Sequence, residues 1–341
     1  MKMKRIIFIS NFLSSKNFTK SQSEELSNLL EKEGCFIIRT SNKKNSILKV
    51  VNMAYTILLN YKKYDLAIID LFSQRAFFWA EISAKILKFL KKPFFLVLRG
   101  GELPQFSKKY QKKVSKLLYS AKKVIAPSEY LKEEMKIYRD DILYIPNGIN
   151  LKNYKFRLRN NLEKKFIWIR AFHKTYNPRL AIEAFFKVKK VYPEALLCMI
   201  GPDKKDGSLE DVKNFIYEKN LEKDVEIIKG VEKEKIPEYL KYYDIFLNTT
   251  NVDNTPVTVI EAMACGLCVV STNVGGIPYL LKDKEDSLLV SKGKADQMAR
   301  AIISLLEDPA LCQTLSKNAR QKAESFSWEK ILSFWKEVIN E

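Results

Sequence analysis

Two sets of six short apolar segments recur along this sequence, and most of them are separated by segments of helix length. The first set is RIIFIS, CFIIRT, LAIID, PFFLVL, KVIAPS and ILYIPN, and the second is FIWIRAF, ALLCMIG, VEIIKG, DIFLNTT, CVVST and SLLV. Their apolar residues are mostly continuous rather than alternating, and many are β-branched or aromatic. This pattern is typical of strands buried on both faces of a parallel sheet. We therefore predict an α/β fold with two Rossmann-like β/α/β domains.

The length of the chain, 341 residues, suits two domains better than a single core. The alternation of strand-like and helix-length segments is interrupted after the turn signal IPNGIN, in the polar stretch LKNYKFRLRNNLEKK. We therefore predict a linker near residues 151–164. The two predicted domains cover residues 1–155 and 165–325. Ligands of such sheets bind beyond the carboxyl ends of the strands, and we expect the two halves to face a cleft there.

The excess of positive charge is confined to one half of the chain. Residues 1–160 contain 32 Lys and Arg against 13 Asp and Glu, whereas residues 161–341 contain 27 of each, so the first half carries the whole net charge of +19. In the densest basic segment, KKYQKKVSKLLYSAKK, helical spacing would place five lysines along one flank: Lys108, Lys109, Lys112, Lys113 and Lys116. This flank is either a solvated helix face or a contact with an anionic membrane surface. No nucleic acid is expected as a partner, because we find no zinc finger, RNP-like aromatic motif or basic recognition helix.

Cysteine usage and hydropathy limit the environment of the protein. The five cysteines are scattered, which suits a reducing compartment, and Cys265 and Cys268 have no accompanying ligands that would make a zinc site. The apolar run near the N-terminus is too short for the core of a signal peptide. The most apolar segment, residues 46–60, is shorter than the roughly 20 residues needed to cross a bilayer. We therefore expect a soluble or peripheral protein.

The stretch DNTPVTVIEAMACG, from Asp253 to Gly266, has the features of an anion site. Thr255 and Pro256 predict a helix start, with the hydroxyl as cap and the proline in the first turn. The free amides of Val257 and Thr258 would then point out of the helix end, where the helix dipole favours an anion. A phosphate or pyrophosphate fits there.

Glu261 is an acid inside a run of small and apolar residues. Helical geometry places it on the flank shared with Thr258 and Cys265, where small neighbours leave room for a ligand. A carboxylate one turn beyond a phosphate site could accept two hydroxyl hydrogens from a ribose. The alternative is a surface glutamate on an ordinary helix.

Two cations follow the first strand of the second half, in IRAFHKTYNP. Arg170 and Lys174 would emerge on the same rim as the helix that begins near Thr255. Facing that helix end, they could neutralise a diphosphate as it becomes a leaving group. They could also be two solvated bases after a strand. His173, between them, is expected to pack or to form a hydrogen bond rather than to act as a base.

Several segments together resemble a known family. The stretch DNTPVTVIEAMACGLCVVSTNVGGIP resembles the donor site of the GT-B glycosyltransferases of family 4, whose hallmark is two glutamates separated by seven residues. The segments IPNGIN, IAPSEYLKEEM, VGGIP and FSWEKILSFW and the strand exit with Arg170 and Lys174 are similar to other landmarks of that family. The resemblance covers nearly the whole chain and is strongest from Ile145 onward.

The resemblance implies a GT-B fold and a retaining transfer from a nucleoside-diphosphate sugar, with no cofactor and no metal ion. It implies that Glu261 binds the nucleotide ribose and that Asp253 contacts the transferred sugar. Arg170 and Lys174 would stabilise the leaving diphosphate.

The resemblance also implies a role for one backbone turn and a position for the final helix. Backbone groups around Gly230 and Val231 would meet the nucleotide base. The final helix, in residues 326–341, is expected to pack back on the first domain.

The sequence departs from the family pattern in three places. Asp253 stands where the family usually has glutamate, so its carboxylate is one methylene shorter. Arg99, in LRGGELP, occupies a position near the acceptor where many members carry histidine. The loop SNFLSSKNFTKS lacks the usual glycine pair, and Gly100 and Gly101 could supply the close backbone approach instead. With Glu102, these residues form the expected acceptor side.

We therefore expect a cytoplasmic glycosyltransferase, peripheral on the cytoplasmic face of the membrane, that acts in polysaccharide or glycolipid synthesis. Its expected partners are a nucleotide-sugar donor, a glycan or lipid-linked acceptor and an anionic membrane surface. One rival hypothesis is a nucleotide-sugar epimerase of similar fold, which would need acid and base side chains at the sugar. The other is a binding module without turnover, which the departures at Asp253 and Arg99 keep open.

Overall fold

The computed structural model describes residues 4–13 and 20–341. The chain divides into two compact units, one of Met1–Gly148 with Glu329–Glu341 and the other of Ile149–Trp328. Within the loop SNFLSSKNFTKS, where we noted the missing glycine pair, residues 14–19 lie outside the described residues.

Six parallel strands form the sheet of the first unit, in the order β2-β1-β3-β4-β5-β6, as far as the described residues show. The strands are β1 (Arg5–Ile9), β2 (Phe36–Thr40), β3 (Leu66–Leu71), β4 (Phe94–Leu98), β5 (Lys123–Ala126) and β6 (Leu143–Tyr144). The helices are α1 (Gln22–Lys32), α2 (Ser46–Leu59), α3 (Arg75–Phe89), α4 (Leu103–Lys109), α5 (Gln111–Ser120) and α6 (Glu129–Met135). Every residue of β3 and β4 is buried, which explains their continuous apolar sequences.

The sheet of the second unit is also parallel and has the order β12-β11-β10-β7-β8-β9. Its strands are β7 (Lys165–Ile169), β8 (Leu196–Ile200), β9 (Val225–Ile228), β10 (Ile245–Asn248), β11 (Cys268–Thr272) and β12 (Leu288–Val290). The helices are α7 (Pro178–Lys189), α8 (Ser208–Glu218), α9 (Ile236–Tyr242), α10 (Val257–Ala264), α11 (Ile277–Leu280), α12 (Ala295–Glu307) and α13 (Pro309–Ala323). Two apolar clusters, one on each face of this sheet, form its core.

The predicted α/β class and the two Rossmann-like sheets are confirmed. Each apolar segment of the sequence overlaps one of the strands. Both sheets have a switch point, where the strand order reverses: between β1 and β3 in the first unit and between β7 and β10 in the second. Ligands of open α/β sheets bind at such points, beyond the carboxyl ends of the strands.

The polar stretch near residues 151–164, predicted as a linker, lies within the second unit. Arg159 fixes this stretch in the second unit. The Arg159 guanidinium is fully buried and donates to the carbonyl oxygens of Cys265 and Tyr243. Burial lowers the pKa of Arg159 to about 10.

The last helix, α14 (Trp328–Asn340), belongs from Glu329 onward to the first unit. Ile331, Trp335 and Ile339 are buried, and the Lys336 ammonium lies 2.6 Å from a carboxylate oxygen of Glu33. Within residues 4–13 and 20–341, no helix has both the length and the apolar character needed to cross a bilayer.

The prediction that five lysines lie along one helical flank is wrong. These docking lysines are Lys108, Lys109, Lys112, Lys113 and Lys116. The segment forms two helices, because the backbone leaves the helical conformation at Tyr110 (φ −124°, ψ 41°) between α4 and α5. Lys108 and Lys109 therefore lie in the last turn of α4, and the other three lie in α5. Lys113 lies 2.8 Å from a carboxylate oxygen of Glu81, which offsets part of the charge.

Candidate functional site

The second unit brings several of the predicted site residues to its switch point. Arg170 follows the last residue of β7, and Asp253 lies in the loop that leaves the neighbouring strand β10. Their side chains form an ion pair and are only 15% and 13% exposed. The structure thus places a cation and an acid side by side at the edge where a ligand of such a sheet binds.

The Arg170 guanidinium is held by more than this ion pair. Its central carbon lies 4.8 Å from the ring centroid of Tyr176, a cation–π contact. Its Nε atom is buried and has no hydrogen-bond partner in the described part of the chain. A buried guanidinium donor without a partner is costly, and a ligand oxygen would satisfy it.

Gly275 and Gly276 allow the Asp253 loop to lie against the segment after β11. A Cβ atom on Gly276 would lie 1.9 Å from the carbonyl oxygen of Asn254, so a side chain cannot be accommodated there. The Gly276 amide donates a hydrogen bond to the Asp253 carbonyl oxygen at 3.0 Å. The VGGIP segment therefore fixes the backbone that carries Asp253.

Lys174 is anchored by its backbone, while its side chain is exposed. Its amide donates to Asp206 Oδ2 at 2.8 Å, and its carbonyl oxygen accepts from Asn251 Nδ2 at 2.8 Å. The bond from the Lys174 amide is the largest cause that lowers the pKa of Asp206 to about 2, so this carboxylate stays charged at neutral pH. His173, as expected, takes part in hydrogen bonding: its Nδ1 accepts from the Thr175 amide at 3.2 Å.

Helix α10 begins one residue later than predicted. Pro256, expected in the first turn, is the cap, because its extended backbone (φ −69°, ψ 112°) lies outside the helix. Thr255 is therefore not the cap, and no side chain caps this end within the described residues. The Pro256 carbonyl oxygen accepts from the Val259 amide at 3.1 Å, so the amides of Val257 and Thr258 precede the helical hydrogen bonds.

Glu261 is buried, which excludes the alternative of a surface glutamate. Only 2% of the residue is exposed, and its Oε1 accepts a hydrogen bond from the Tyr154 hydroxyl at 2.7 Å. Tyr154 is itself held by Arg320, whose guanidinium donates to the Tyr154 carbonyl oxygen at 3.0 Å. The sequence analysis missed Tyr154, although an aromatic residue inside a charged stretch was a signal of burial.

Replacing Tyr154 by phenylalanine should lower the stability of the fold and the affinity for a ligand at Glu261, because the buried Glu261 carboxylate loses a hydrogen-bond donor. We expect the free energy of unfolding to fall by about 1–3 kcal/mol, measured by urea denaturation. Tyr192→Phe is the matched control, because its hydroxyl meets Glu307 at 3.5 Å on the exposed surface of the same unit. Equal losses in the two variants would contradict a special role for the Tyr154 contact.

Gly230 and Val231 follow β9, at the same edge of the sheet. Gly230 has a φ of +99°, and its amide donates to the Ile228 carbonyl oxygen at 2.8 Å, which forms a tight turn. Val231 packs against the apolar cluster that includes Val259 and Ile260 of α10. The structure thus places this turn and α10 against one cluster.

The first unit has its own polar network at its switch point. Arg99, directly after β4, donates to Asp70 Oδ1 at 2.9 Å, to Asn147 Oδ1 at 3.0 Å and to Ser23 Oγ at 3.1 Å. Asp70 is almost fully buried near the end of β3. The expected acceptor-side cation is therefore a fixed member of an internal network. An acid in the apolar segment LAIID was the sequence signal for Asp70.

The other predicted acceptor-side residues follow Arg99 directly. Gly100 has a φ of +84°, which any other residue would adopt only with strain. Gly101 leads into α4, and Glu102 Oε2 accepts from Gln74 Nε2 at 2.6 Å. The structure brings these residues to the carboxyl end of β4. Of the docking lysines, Lys108, Lys109, Lys112 and Lys116 are exposed, and Lys113 is half-buried.

In residues 4–13 and 20–341, no three or more His, Cys, Asp and Glu side chains are grouped as a metal ion would require. The polar groups at the switch point are instead cations, amides and single carboxylates. Such groups suit an anionic organic ligand that carries hydroxyl groups.

Comparisons with known proteins identify the family of the chain. The family model described as "Glycosyl transferases group 1" matches residues 152–322, half of the chain. An uncharacterized glycosyltransferase of Methanocaldococcus jannaschii is 25% identical over 228 residues, which are 64% of this chain and 59% of that protein. The UDP-Gal:alpha-D-GlcNAc-diphosphoundecaprenol alpha-1,3-galactosyltransferase of Escherichia coli is 25% identical over 220 residues, with coverages of 60% and 54%. The chain thus spans less than two thirds of the length of these relatives.

Solved structures share the whole fold. Anabaena HepE, in a crystal structure with UDP and glucose, superposes with a TM-score of 0.78 at 18% identity and covers 99% of both chains. A sucrose-phosphate synthase of Thermosynechococcus elongatus also reaches a TM-score of 0.78. At this identity the likeness concerns the fold alone, which is of the GT-B type.

Proposed function

This chain belongs to the glycosyl transferases group 1, and we propose that it transfers a sugar from a nucleoside-diphosphate sugar to a glycan or lipid-linked acceptor. One observation carries the proposal: Arg170, Asp253 and the amide end of α10 lie at the switch point of one sheet, with Glu261 buried one turn further on. These groups match the charges and hydroxyls of such a donor.

In this proposal the second unit binds the donor. The amides of Val257 and Thr258, with Thr255 beside them, receive the diphosphate, and Glu261 accepts hydrogen bonds from the ribose. The turn at Gly230 and Val231 lies beside the base. The HepE structures were obtained with UDP, UDP-glucose or UDP and glucose, which makes uridine nucleotides the first donors to test.

We further propose a retaining reaction that needs no protein base and no metal ion. The acceptor oxygen bonds to the anomeric carbon on the face from which the diphosphate departs, and the acceptor proton passes to the departing phosphate oxygen. Arg170 and Lys174 stabilise the negative charge that develops there. The Asp253 carboxylate contacts the transferred sugar. When the donor binds, the Arg170 guanidinium exchanges part of its ion pair with Asp253 for a contact with the phosphate.

The first unit is the proposed acceptor side. Arg99, Gly100, Gly101 and Glu102 lie together after β4, and Arg99 is held rigidly by its three partners. A rigid cation suits an acceptor with an anionic group, such as a lipid-linked diphosphate. We propose that the protein acts at the cytoplasmic face of the membrane in the synthesis of a polysaccharide or glycolipid, with the basic half of the sequence toward anionic lipid.

The test is a transfer assay with labelled nucleotide sugars and a membrane extract that supplies acceptors. We expect a labelled glycan or lipid product whose anomeric configuration, measured by NMR, equals that of the donor. An inverted product would refute the retaining mechanism. Nucleotide binding without any product would favour a binding module, and conversion of the donor sugar without transfer would favour an epimerase.

A further inference from the structure

Helix α2 (Ser46–Leu59) has the reverse of the usual polarity for a surface helix. Lys49, its one charged residue, is 4% exposed. The Lys49 ammonium lies 4.3 Å from the ring centroid of Trp79 and donates to Asn11 Oδ1. Six large apolar side chains of the same helix are exposed: Ile47, Leu48, Val51, Tyr55, Leu58 and Leu59.

The exposed side chains form one continuous stripe. At about 100° per residue, the six apolar residues fall within a stripe of about 120°. Lys49, Met53 and Ile57, the buried residues of α2, lie on the opposite side. A helix that packs on a core and faces only water has its apolar side inward and its charges outward. An exposed stripe of this kind indicates contact with an apolar partner.

Lysines border both ends of this stripe. Lys43 and Lys44 precede α2, Lys62 and Lys63 follow it, and all four are exposed. The helix has 14 residues, so the lysine pairs lie about 21 Å apart along its axis. The same half of the sequence carries the whole excess of positive charge.

We propose that α2 lies in the interface of an anionic lipid bilayer, with its apolar stripe toward the acyl chains and the four lysines toward the lipid phosphates. An interfacial helix combines these two features, an apolar stripe and flanking cations. A second copy of the chain fits less well, because pairing two such stripes would bring the lysines of both copies together. An anionic bilayer complements both the stripe and the charge.

The bilayer contact of α2 would bring the protein to the surface at which it meets the acceptor. Only this link to the acceptor rests on the proposed function. The main membrane contact then lies on α2 rather than on the lysines of α4 and α5. In those helices, Lys113 and Lys108 already face Glu81 and Glu134.

The experiment compares the binding of matched variants of the full chain to vesicles. Ile47→Glu places a charge in the stripe, and Ile137→Glu is its control, because the two isoleucines are 74% and 73% exposed in the same unit. Co-sedimentation is measured with phosphatidylcholine vesicles, with and without phosphatidylserine. We expect the wild type and Ile137→Glu to bind the anionic vesicles and Ile47→Glu to bind at least about tenfold more weakly.

A second pair of variants guards against misfolding. Tyr55→Glu lies in the stripe at 62% exposure, and Tyr217→Glu, at 76% exposure in α8, is its control. Binding by both stripe variants at the level of the wild type would overturn the proposal. So would a self-association of the wild type, seen by sedimentation, that Ile47→Glu abolishes, because the stripe would then contact a second copy.

Nucleotide binding separates this inference from the proposed function. Nucleotide-induced thermal stabilisation should be the same in the wild type and in all four variants, because none of them lies in the proposed donor site. If vesicle binding depends on the stripe while no nucleotide stabilises the wild type, the bilayer contact stands and the proposed function fails.

Discussion

Replacing Glu261 by alanine should weaken nucleotide binding by about 30- to 150-fold. A hydrogen bond to a charged group contributes about 2–3 kcal/mol when it is lost from a buried site, and each 1.4 kcal/mol is a factor of about ten in affinity. The carboxylate is 2% exposed and is fixed by the Tyr154 hydroxyl, so no other geometry is available to it without cost. Isothermal titration with the nucleoside diphosphate and with the nucleotide sugar measures the loss.

Glu261→Gln separates ligand binding from folding. The amide oxygen of glutamine can still accept the hydrogen bond from Tyr154, but its NH₂ group cannot accept from a ribose hydroxyl. We expect this variant to melt near the wild type while its nucleotide affinity falls about tenfold. Glu238→Ala, on the exposed surface of α9, should change neither quantity. A properly folded Glu261→Gln protein with wild-type affinity would refute the ribose assignment.

Replacing Arg170 and Lys174 together by alanine should lower turnover by about 100- to 1,000-fold and lower donor affinity much less. Cations placed where charge develops stabilise the transition state more than the ground state, and losing one such donor costs this much in kcat. Steady-state kinetics, with donor affinity measured separately, provide the two quantities.

The two cations should not contribute equally. Arg170 is nearly buried between Asp253 and the Tyr176 ring, whereas the Lys174 side chain is exposed. The single Arg170→Ala variant should therefore account for most of the loss. Arg170→Ala leaves the Asp253 carboxylate without its cation. Because Asp253 is itself a proposed site residue, Asp253→Asn is measured alone and together with Arg170→Ala, and the effect of the unpaired charge is obtained by difference. Equal losses in turnover and in donor affinity would contradict the leaving-group role.

The fold could be predicted because strands buried on both faces leave a direct trace in the sequence. Every residue of β3 and β4 is buried, and continuous apolar segments follow from that. The order of the strands could not be read in this way, since it depends on pairing between distant segments. The alternation of strands and helices nevertheless restricted the possibilities to a few parallel sheets.

The candidate site was predictable where one local segment carries several features. Acid, cap and small residues coincide in DNTPVTVIEAMACG, and α10 lies there. The start of that helix was misplaced by one residue, because Pro256 fits both the cap and the first turn from its φ angle, and only its ψ angle decides.

Long-range contacts account for the residues that the sequence analysis missed. The Tyr154 hydroxyl reaches Glu261 across 107 positions of the chain, and Arg99 reaches Asn147 across 48. The reversed polarity of α2 was also hidden, because periodicity shows that a helix has two faces but not which of them is inward. Lys49 points inward because Asn11 and the Trp79 ring receive its ammonium there.

The most direct test of the central claim is a titration of the wild-type chain with UDP-, GDP- and ADP-glucose, followed by calorimetry. The account predicts saturable binding of at least one of them in the micromolar range, with a Kd about 30-fold or more higher in the Glu261→Ala variant. The absence of binding for every nucleotide sugar tested, or binding that Glu261→Ala leaves unchanged, would contradict the claim that the switch point of the second unit is a donor site.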